Sequence, residues 1–131
     1  MVTVSTSPTT KLIEGGSPTI FISEMNRAVR FYTQTLGLTI AYRAGDHFCM
    51  IDAGGGLMIG LHPPGEHTPT PGAEGGTQVG LDVAQPIESV VNELRGRGVN
   101  FHGPVIDDSA VKLAFFNDPD GNVLYLCEVK H

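Results

Sequence analysis

Residues 115–129, FFNDPDGNVLYLCEV, decide the fold because they combine a tight turn with a strand of alternating side chains. Pro119 fixes its own φ angle, Asp118 can accept backbone N–H groups, and Gly121 tolerates a positive φ. DPDGN is therefore typical of a turn that closes a hairpin. The alternation after the turn places Tyr125 on one face of the predicted strand.

The order of elements that ends in this hairpin occurs twice along the chain. Each copy predicts a strand, a helix with apolar residues at helical spacing and a glycine at its end, and then three strands. We predict an N-terminal arm over residues 1–16, a βαβββ module over 17–62, a Pro/Gly-rich linker over 63–76 and a second βαβββ module over 77–131. The two modules are expected to form one structural domain, with GGG at 54–56 and DPDGN as hairpin turns and a strand in FHGPVID (101–107).

Each module offers one helix to one face of its sheet and leaves the other face free. Two such sheets side by side predict an α+β fold with a half-open, barrel-like sheet and a concave cleft. If Val79 and Leu81 pack under the second helix, then Gly80 and Asp82 face the cleft. By the same alternation, the side chains predicted to bind a ligand in the cleft are Phe21, Ser23, Met58, Gln78, Asp82 and Cys127, with His62 and Tyr125 beside them.

Composition excludes several classes of function. The chain has 131 residues and a formal net charge of -6, and its eight Lys and Arg residues are scattered, so a nucleic-acid partner is not expected. No apolar run approaches the roughly 20 residues that cross a bilayer, which argues against a membrane partner. Cys49 and Cys127 lie in predicted strands without CxxC spacing, which favours free thiols in a cytoplasmic protein.

Two motifs give the chain a resemblance to a known family. NRAVRFYTQTLGL at residues 26–38 is similar to the first helix of the vicinal oxygen chelate superfamily, with its FY-x-x-x-LG ending. DPDGN with the following strand, and ELRGRGV at the end of the second helix, match as well. Over residues 17–129 the chain resembles this superfamily, which includes glyoxalase I, extradiol dioxygenases, fosfomycin resistance enzymes and bleomycin resistance proteins.

The resemblance implies four metal-ligand positions, and they fall on Ser17, Gly60, Gln78 and Tyr125. Metal-dependent members carry His, Glu, His or Gln, and Glu there. Glycine offers no ligand, serine is a weak one, and tyrosine must lose a proton whose ordinary pKa is about 10. We therefore expect no metal ion or other cofactor at these positions.

Three hypotheses for the function remain open. The first, which the sequence favours, is a metal-free protein that binds a small organic molecule in the cleft, similar to bleomycin resistance proteins. The second is a metal-dependent lyase or dioxygenase with a displaced site that includes His62, two residues beyond Gly60 on the same strand face. The third is a metal-free acid–base enzyme in which His62 titrates near neutrality and Tyr125 donates to a developing oxyanion.

By the same resemblance we expect a homodimer, whose interface would complete each cleft. A monomer whose own two modules close on each other is the alternative. The sequence leaves open the identity of the ligand and whether the protein is catalytic.

Overall fold

The protein was analysed as a computed structural model that describes residues 11, 12 and 14–130. It contains two four-stranded mixed sheets and two helices, arranged as two successive βαβββ modules. The α+β class and the paired modules predicted from the sequence are confirmed. The predicted arm, residues 1–16, lies mostly outside the described residues.

The first module forms sheet 1, with strand order β1-β4-β3-β2. Its elements are β1 (Thr19–Phe21), α1 (Met25–Arg30), β2 (Thr39–Ala44), β3 (Phe48–Gly54) and β4 (Leu57–His62). Strand β1 runs parallel to β4, and the other pairs are antiparallel. The edge strand β1 is thus placed beside the strand that carries Met58, Gly60 and His62.

The second module forms sheet 2, with strand order β5-β8-β7-β6. Its elements are β5 (Val79–Asp82), α2 (Ile87–Gly96), β6 (Ile106–Asp107), β7 (Val111–Asn117) and β8 (Val123–Val129). The strand predicted over FHGPVID is shorter than expected: it covers only Ile106–Asp107, because Gly103 has a φ of 152° and Pro104 has no N–H to give to a ladder.

Helix α1 continues as a π-helical segment, Phe31–Thr35, which the sequence did not predict. Its signature is the bond from Leu36 N to Phe31 O, 2.9 Å, which spans five residues instead of four. The extra residue makes this helical region one residue longer than its counterpart in the second module. It ends where expected, at Gly37, whose φ is 79°.

Helix α2 follows the N-cap residue Pro86, and the hydrogen-bond acceptor for its first backbone N–H comes from a distant strand. The Pro86 cap has no side-chain acceptor, and the backbone N–H of Ile87 instead donates to Glu128 Oε1 at 2.7 Å. A carboxylate at this end of a helix satisfies a free donor and interacts favourably with the helix dipole. The helix is thereby fixed to β8, the strand that carries Tyr125.

One hydrophobic core serves both modules. Buried residues from the helix-bearing faces of both sheets and from both helices form a single cluster, which includes Ile51, Ile59, Val91, Leu124 and Leu126. The rings of Phe31, from the first module, and Phe116, from the second, lie 6.5 Å apart within it. The opposite face of each sheet points away from this core, and we call it the outer face of sheet 1 or sheet 2.

The two predicted hairpin turns are both present, but they differ in size. Gly55 and Gly56 have positive φ angles and form the short turn between β3 and β4. DPDGN joins β7 to β8, Gly121 has a φ of 90°, and Asp118 accepts the backbone N–H groups of Asp120 and Asn122. Both turns therefore form for the reasons read from the sequence.

Candidate functional site

The outer face of sheet 1 carries aromatic and thioether side chains. Alternation along the four strands of sheet 1 and the strand register put these residues on it: Phe21, Tyr42, Phe48, Met50, Met58, Gly60 and His62. Phe21 pairs directly with His62 across β1 and β4, and their ring centroids are 6.1 Å apart. Phe48 approaches the other side of the His62 ring, with centroids 6.3 Å apart.

Gly60, the second of the four family metal positions, is covered by an aromatic ring. A Cβ added to Gly60 would lie 3.2 Å from Phe48 Cε1 and 3.4 Å from Thr19 Oγ1. The space that a carboxylate side chain would need is therefore already taken by Phe48. Ser17, the first position, is exposed and precedes β1.

The outer face of sheet 2 carries Tyr125, at the fourth of the family metal positions. Tyr125 pairs with Gly80 on β5 and with Phe115 on β7. A Cβ added to Gly80 would lie 2.5 Å from Tyr125 Cζ and 2.6 Å from its hydroxyl oxygen, so the tyrosine ring lies flat across β5. The Phe115 ring is 5.1 Å from the Tyr125 ring, and the two form a continuous aromatic surface.

Three of the other predicted ligand-binding residues are near Tyr125 in the strand register. Cys127 follows Tyr125 on the same face of β8 and pairs with Asp82 on β5. Gln78 is exposed and immediately precedes β5. Met58, by contrast, lies on the outer face of sheet 1, and so does His62, so the two residues predicted as catalysts belong to different sheets.

Ser23 lies elsewhere, at the contact between the two modules. Its backbone N–H donates to Asp120 Oδ1 at 3.2 Å and its hydroxyl bonds the same oxygen. Arg27 Nη2 reaches both groups, at 2.8 Å from Ser23 Oγ and 3.0 Å from Asp120 Oδ1. The strand alternation that assigned Ser23 to the cleft ends at Phe21, where β1 ends.

The DPDGN turn makes a second set of contacts with the first module that the sequence did not reveal. Tyr32 Oη donates to Asp118 Oδ2 at 2.8 Å, and Asn122 Nδ2 donates to Phe21 O at 2.9 Å. We call these contacts, with those of Asp120, the polar junction. The only residue in the sequence that pointed to this junction was Tyr32, the tyrosine of FY-x-x-x-LG. Because it recurs with apolar residues at helical spacing, the sequence indicated packing and not a hydrogen bond.

Burial governs titration at the polar junction. Asp118 is 4% exposed, and desolvation raises the pKa of its carboxyl although Asn122 and Tyr32 donate hydrogen bonds to it. Desolvation, with the nearby Asp118 carboxylate, raises the pKa of Tyr32 well above its ordinary value. Among the described residues, Asp120 Oδ2 is a buried oxygen without a hydrogen-bond partner.

Two cavities lie at the junctions between modules instead of over the outer faces. A groove of about 930 Å³ separates α2 and β5 from the β3–β4 turn, and Asp82 is on its wall. A second cavity of about 520 Å³ lies between β1 and residues 69–78, and Phe21 and Gln78 line it.

The donor groups do not fit the metal site of the family. In the part of the chain that the structure describes, no three His, Cys, Asp or Glu side chains lie close enough together to hold an ion. His62 has the rings of Phe21 and Phe48 as neighbours in place of further ligands. A transition-metal ion needs several such ligands, and within residues 11, 12 and 14–130 neither the family positions nor the surroundings of His62 bring that many together.

No helix in the described part of the chain is long and apolar enough to cross a membrane.

Comparison with known proteins finds one sequence relative and several solved structures of similar fold. An uncharacterized protein of Mycolicibacterium smegmatis is 30% identical over 100 residues, 76% of this chain and 80% of that protein. An antibiotic binding protein from Streptomyces sp. CB03234 is 25% identical, with a TM-score of 0.74 over 92% of this chain and 100% of that one. A glyoxalase/bleomycin resistance protein/dioxygenase superfamily member from Sphaerobacter thermophilus is 26% identical, with a TM-score of 0.74 over 88% and 98%.

The family model agrees with the two motifs and with the repeated modules. The model for the Glyoxalase/Bleomycin resistance protein/Dioxygenase superfamily matches residues 16–126, from just before β1 into β8. The resemblance inferred from FY-x-x-x-LG and DPDGN is therefore confirmed, and the chain belongs to the Glyoxalase/Bleomycin resistance protein/Dioxygenase superfamily.

Proposed function

We propose that this protein binds a small organic molecule on the outer faces of its sheets, without the metal ion that metal-dependent members of its superfamily use. The observation that carries the proposal is the replacement of metal ligands by aromatic surface. Gly60 lies under Phe48, and Tyr125 lies flat over Gly80. A carboxylate side chain at position 60 would point into the space that the Phe48 ring occupies, and at position 125 an aromatic ring stands in place of the family's carboxylate.

The side chains on the outer faces suit a largely apolar ligand with a few polar groups. Phe115 and Tyr125 present adjoining rings, with half-buried Cys127 beside them. Asp82 and the Tyr125 hydroxyl supply polar contacts at the edge of that surface. Ligand sites typically combine apolar and aromatic walls with a small number of polar groups of this kind.

The structural neighbour from Streptomyces supports binding over catalysis. That protein is described as antibiotic binding, and its chain is similar to this one over its full length. We propose the same kind of activity here, in which the protein holds its ligand without transforming it. The two free thiols, Cys49 and Cys127, support a reducing, cytoplasmic location for that activity.

We further propose that two copies pair to enclose the ligand. Apolar side chains remain exposed on the outer faces, where Tyr42 is 60% exposed on sheet 1 and Ile106 is 51% exposed on sheet 2. Pairing the outer face of sheet 1 with the outer face of sheet 2 of another copy would cover these residues and turn two open surfaces into a cleft. Light scattering is expected to give twice the mass of one chain, and a monomer at micromolar concentration would contradict this part.

A thermal-shift screen of small organic molecules tests the binding proposal. A ligand at about 100 times its dissociation constant is expected to stabilise the protein by about 2.7 kcal/mol. The stabilisation should be lost in Tyr125→Ala, which removes the ring from the outer face. It should persist in Gln34→Ala, a matched truncation at an exposed position of the π-helical segment.

Stoichiometric metal would overturn the metal-free part of the proposal. Elemental analysis of protein purified without chelators is expected to give a molar ratio of transition metal to protein far below one. Protein carrying one tightly held iron, manganese, nickel or zinc ion per chain would mean that the ligands come from an arrangement other than the one described.

A further inference from the structure

We infer that the outer face of sheet 1 recognises a hydrogen-bond donor on its ligand through the Nε2 atom of His62. The inference rests on the proposed function, because it assigns a ligand chemistry to one of the same two faces. It makes His62 a binding residue with a defined tautomer. The expected ligand is an uncharged molecule with an aromatic or other apolar body that carries an O–H or N–H group.

The tautomer of His62 follows from its neighbour. His62 Nδ1 lies 2.6 Å from the carbonyl oxygen of Pro63. A carbonyl can only accept, so Nδ1 must carry the proton, and in the neutral ring Nε2 then has a free lone pair. Among the residues that the structure describes, none is bonded to Nε2, and the side chain is exposed on the outer face.

The backbone holds this arrangement in place. His62 ends β4 and precedes proline, a position restricted to extended conformations. Its carbonyl accepts the backbone N–H of Ile22 at 3.0 Å, which ties the end of β4 to the chain that follows β1. The imidazole is therefore presented from a fixed backbone, with its accepting nitrogen free for a ligand.

The surroundings of His62 define the rest of the ligand. Phe21 and Phe48 flank the imidazole with ring centroids 6.1 and 6.3 Å away, at interplanar angles of 69° and 60°. Met58 lies four residues before His62, on the same face of β4. Asp52, which pairs with Met58 and is bonded to Gly54 N, is the charged group on this part of the face, so an anionic ligand is disfavoured.

A matched pair of probes tests the inference: 1-naphthol, which donates an O–H, and 1-methoxynaphthalene, which cannot donate. We expect the wild-type protein to bind 1-naphthol about fivefold more tightly, the effect of one hydrogen bond between neutral groups. His62→Phe should bind both probes equally, since phenylalanine keeps the ring but loses the acceptor. His62→Gln should retain part of the preference through its amide oxygen.

The possible failures are distinguishable. Equal binding of the two probes to the wild-type protein would overturn the inference and leave the proposed function standing. Binding of neither probe, in titrations where a control protein with an apolar site binds both, would count against both. Independently of any ligand, ¹⁵N NMR should show His62 with a protonated Nδ1 and an unprotonated Nε2 when the ring is neutral, and the opposite tautomer would overturn the inference.

Discussion

The two modules repeat one order of elements, yet they meet at two unlike junctions. At the polar junction, the β7–β8 turn of the second module contacts β1 and α1 of the first through Asp118, Asp120 and Asn122. At the opposite junction, the β3–β4 turn of the first module faces β5 and α2 of the second across a groove of about 930 Å³. We call this second contact the open junction.

The difference arises from turn length and from a few residue types. Residues 118–122 separate β7 from β8, whereas only Gly55 and Gly56 separate β3 from β4, so the shorter turn has no side chains with which to reach α2. Leu94 is the eighth residue of α2, and Tyr32, in the π-helical segment, is the eighth residue counted from the start of α1. The repeated architecture thus fixes where the modules meet. The longer turn joins them through its own side chains, whereas at the open junction a hydrogen bond from Arg97 Nη1 to Thr35 O, 2.9 Å, links them from outside the turn.

Removing the Asp118 carboxylate should give the largest effect, because it is the centre of the polar junction. In Asp118→Ala, the Tyr32 hydroxyl, the Asn122 amide and two backbone N–H groups lose their acceptor in a buried site. We expect the free energy of unfolding to fall by about 3–5 kcal/mol, as measured by urea denaturation.

The matched control for that variant lies at the open junction. Ser89 lines the groove and is the third residue of α2, as Arg27 is the third residue of α1. Ser89→Ala should change the free energy of unfolding by less than about 0.5 kcal/mol. Losses of similar size in the two variants would mean that the junctions contribute equally and that the structural contrast has no energetic counterpart.

Enlarging one side chain at the same position of each helix should also have different effects on stability at the two junctions, with a smaller difference than the first pair of variants. Ala28 and Val90 are each the fourth residue of their helix, but Ala28 is fully buried whereas Val90 borders the groove. Ala28→Val should overpack the core and cost about 1–3 kcal/mol. Val90→Leu should extend into free space and change stability by less than about 1 kcal/mol, in the stabilising direction.

The same two variants can also contradict the contrast between the junctions. If Val90→Leu were as destabilising as Ala28→Val in thermal unfolding, the groove would not be open space next to α2. Such a result would contradict the contrast between the two junctions directly.

The fold was accessible from the sequence because each of its determinants is local. Strand alternation, the helical spacing ended by Gly37 and Gly98, and the chemistry of DPDGN act within a few residues of one another. The π-helical segment was missed because one extra residue at Phe31–Thr35 leaves the apolar spacing almost unchanged.

The candidate site was accessible only in part. Parity along β4, β5 and β8 placed Met58, His62, Asp82 and Tyr125 on faces that agree with the strand register. Ser23 follows the end of β1, and its hydrogen-bond partner Asp120 is 97 residues away in the chain, so strand alternation says nothing of this contact. Side chains that meet across modules leave no periodic pattern, so the polar junction and the two cavities required the three-dimensional structure.

Gly80 lies beneath the Tyr125 ring and Gly60 beneath the Phe48 ring. Replacing each glycine by alanine allows the outer faces of the two modules to be compared. In Gly80→Ala the new Cβ overlaps the far end of the Tyr125 side chain, so the ring must swing off β5. We expect a stability change of about 1 kcal/mol or less, because the ring can move, together with loss of the ligand-induced thermal shift. Gly60→Ala, whose Cβ would be 3.2 Å from Phe48, needs only a slight shift of that ring.

Tyrosine ultraviolet difference spectra report on these two variants without any ligand. Gly80→Ala should move the Tyr125 absorbance toward that of a solvent-exposed phenol, while Gly60→Ala should leave the tyrosine spectrum unchanged. An unchanged spectrum in Gly80→Ala would show that the Tyr125 ring does not lie on Gly80.

The smallest predicted effect is a pH dependence that originates at the polar junction. Desolvation raises the pKa of Asp118 above its ordinary value of 3.8, so the folded protein holds this proton at pH values where the unfolded chain has released it. Stability then falls as pH rises through the folded pKa, because the native state binds more protons than the unfolded state. The contribution is fully present below 3.8 and is lost above the folded pKa.

Asp118→Asn isolates this effect, since the amide keeps the shape of the side chain and cannot titrate. All other titratable groups are shared, so the difference in free energy of unfolding between the wild-type protein and Asp118→Asn should shift in favour of the wild type as pH is lowered from neutral toward 3.8. Urea denaturation at several pH values measures this difference. A difference that moves toward the variant on acidification would mean that the hydrogen bonds from Tyr32 and Asn122 outweigh desolvation and that the polar junction favours a charged Asp118.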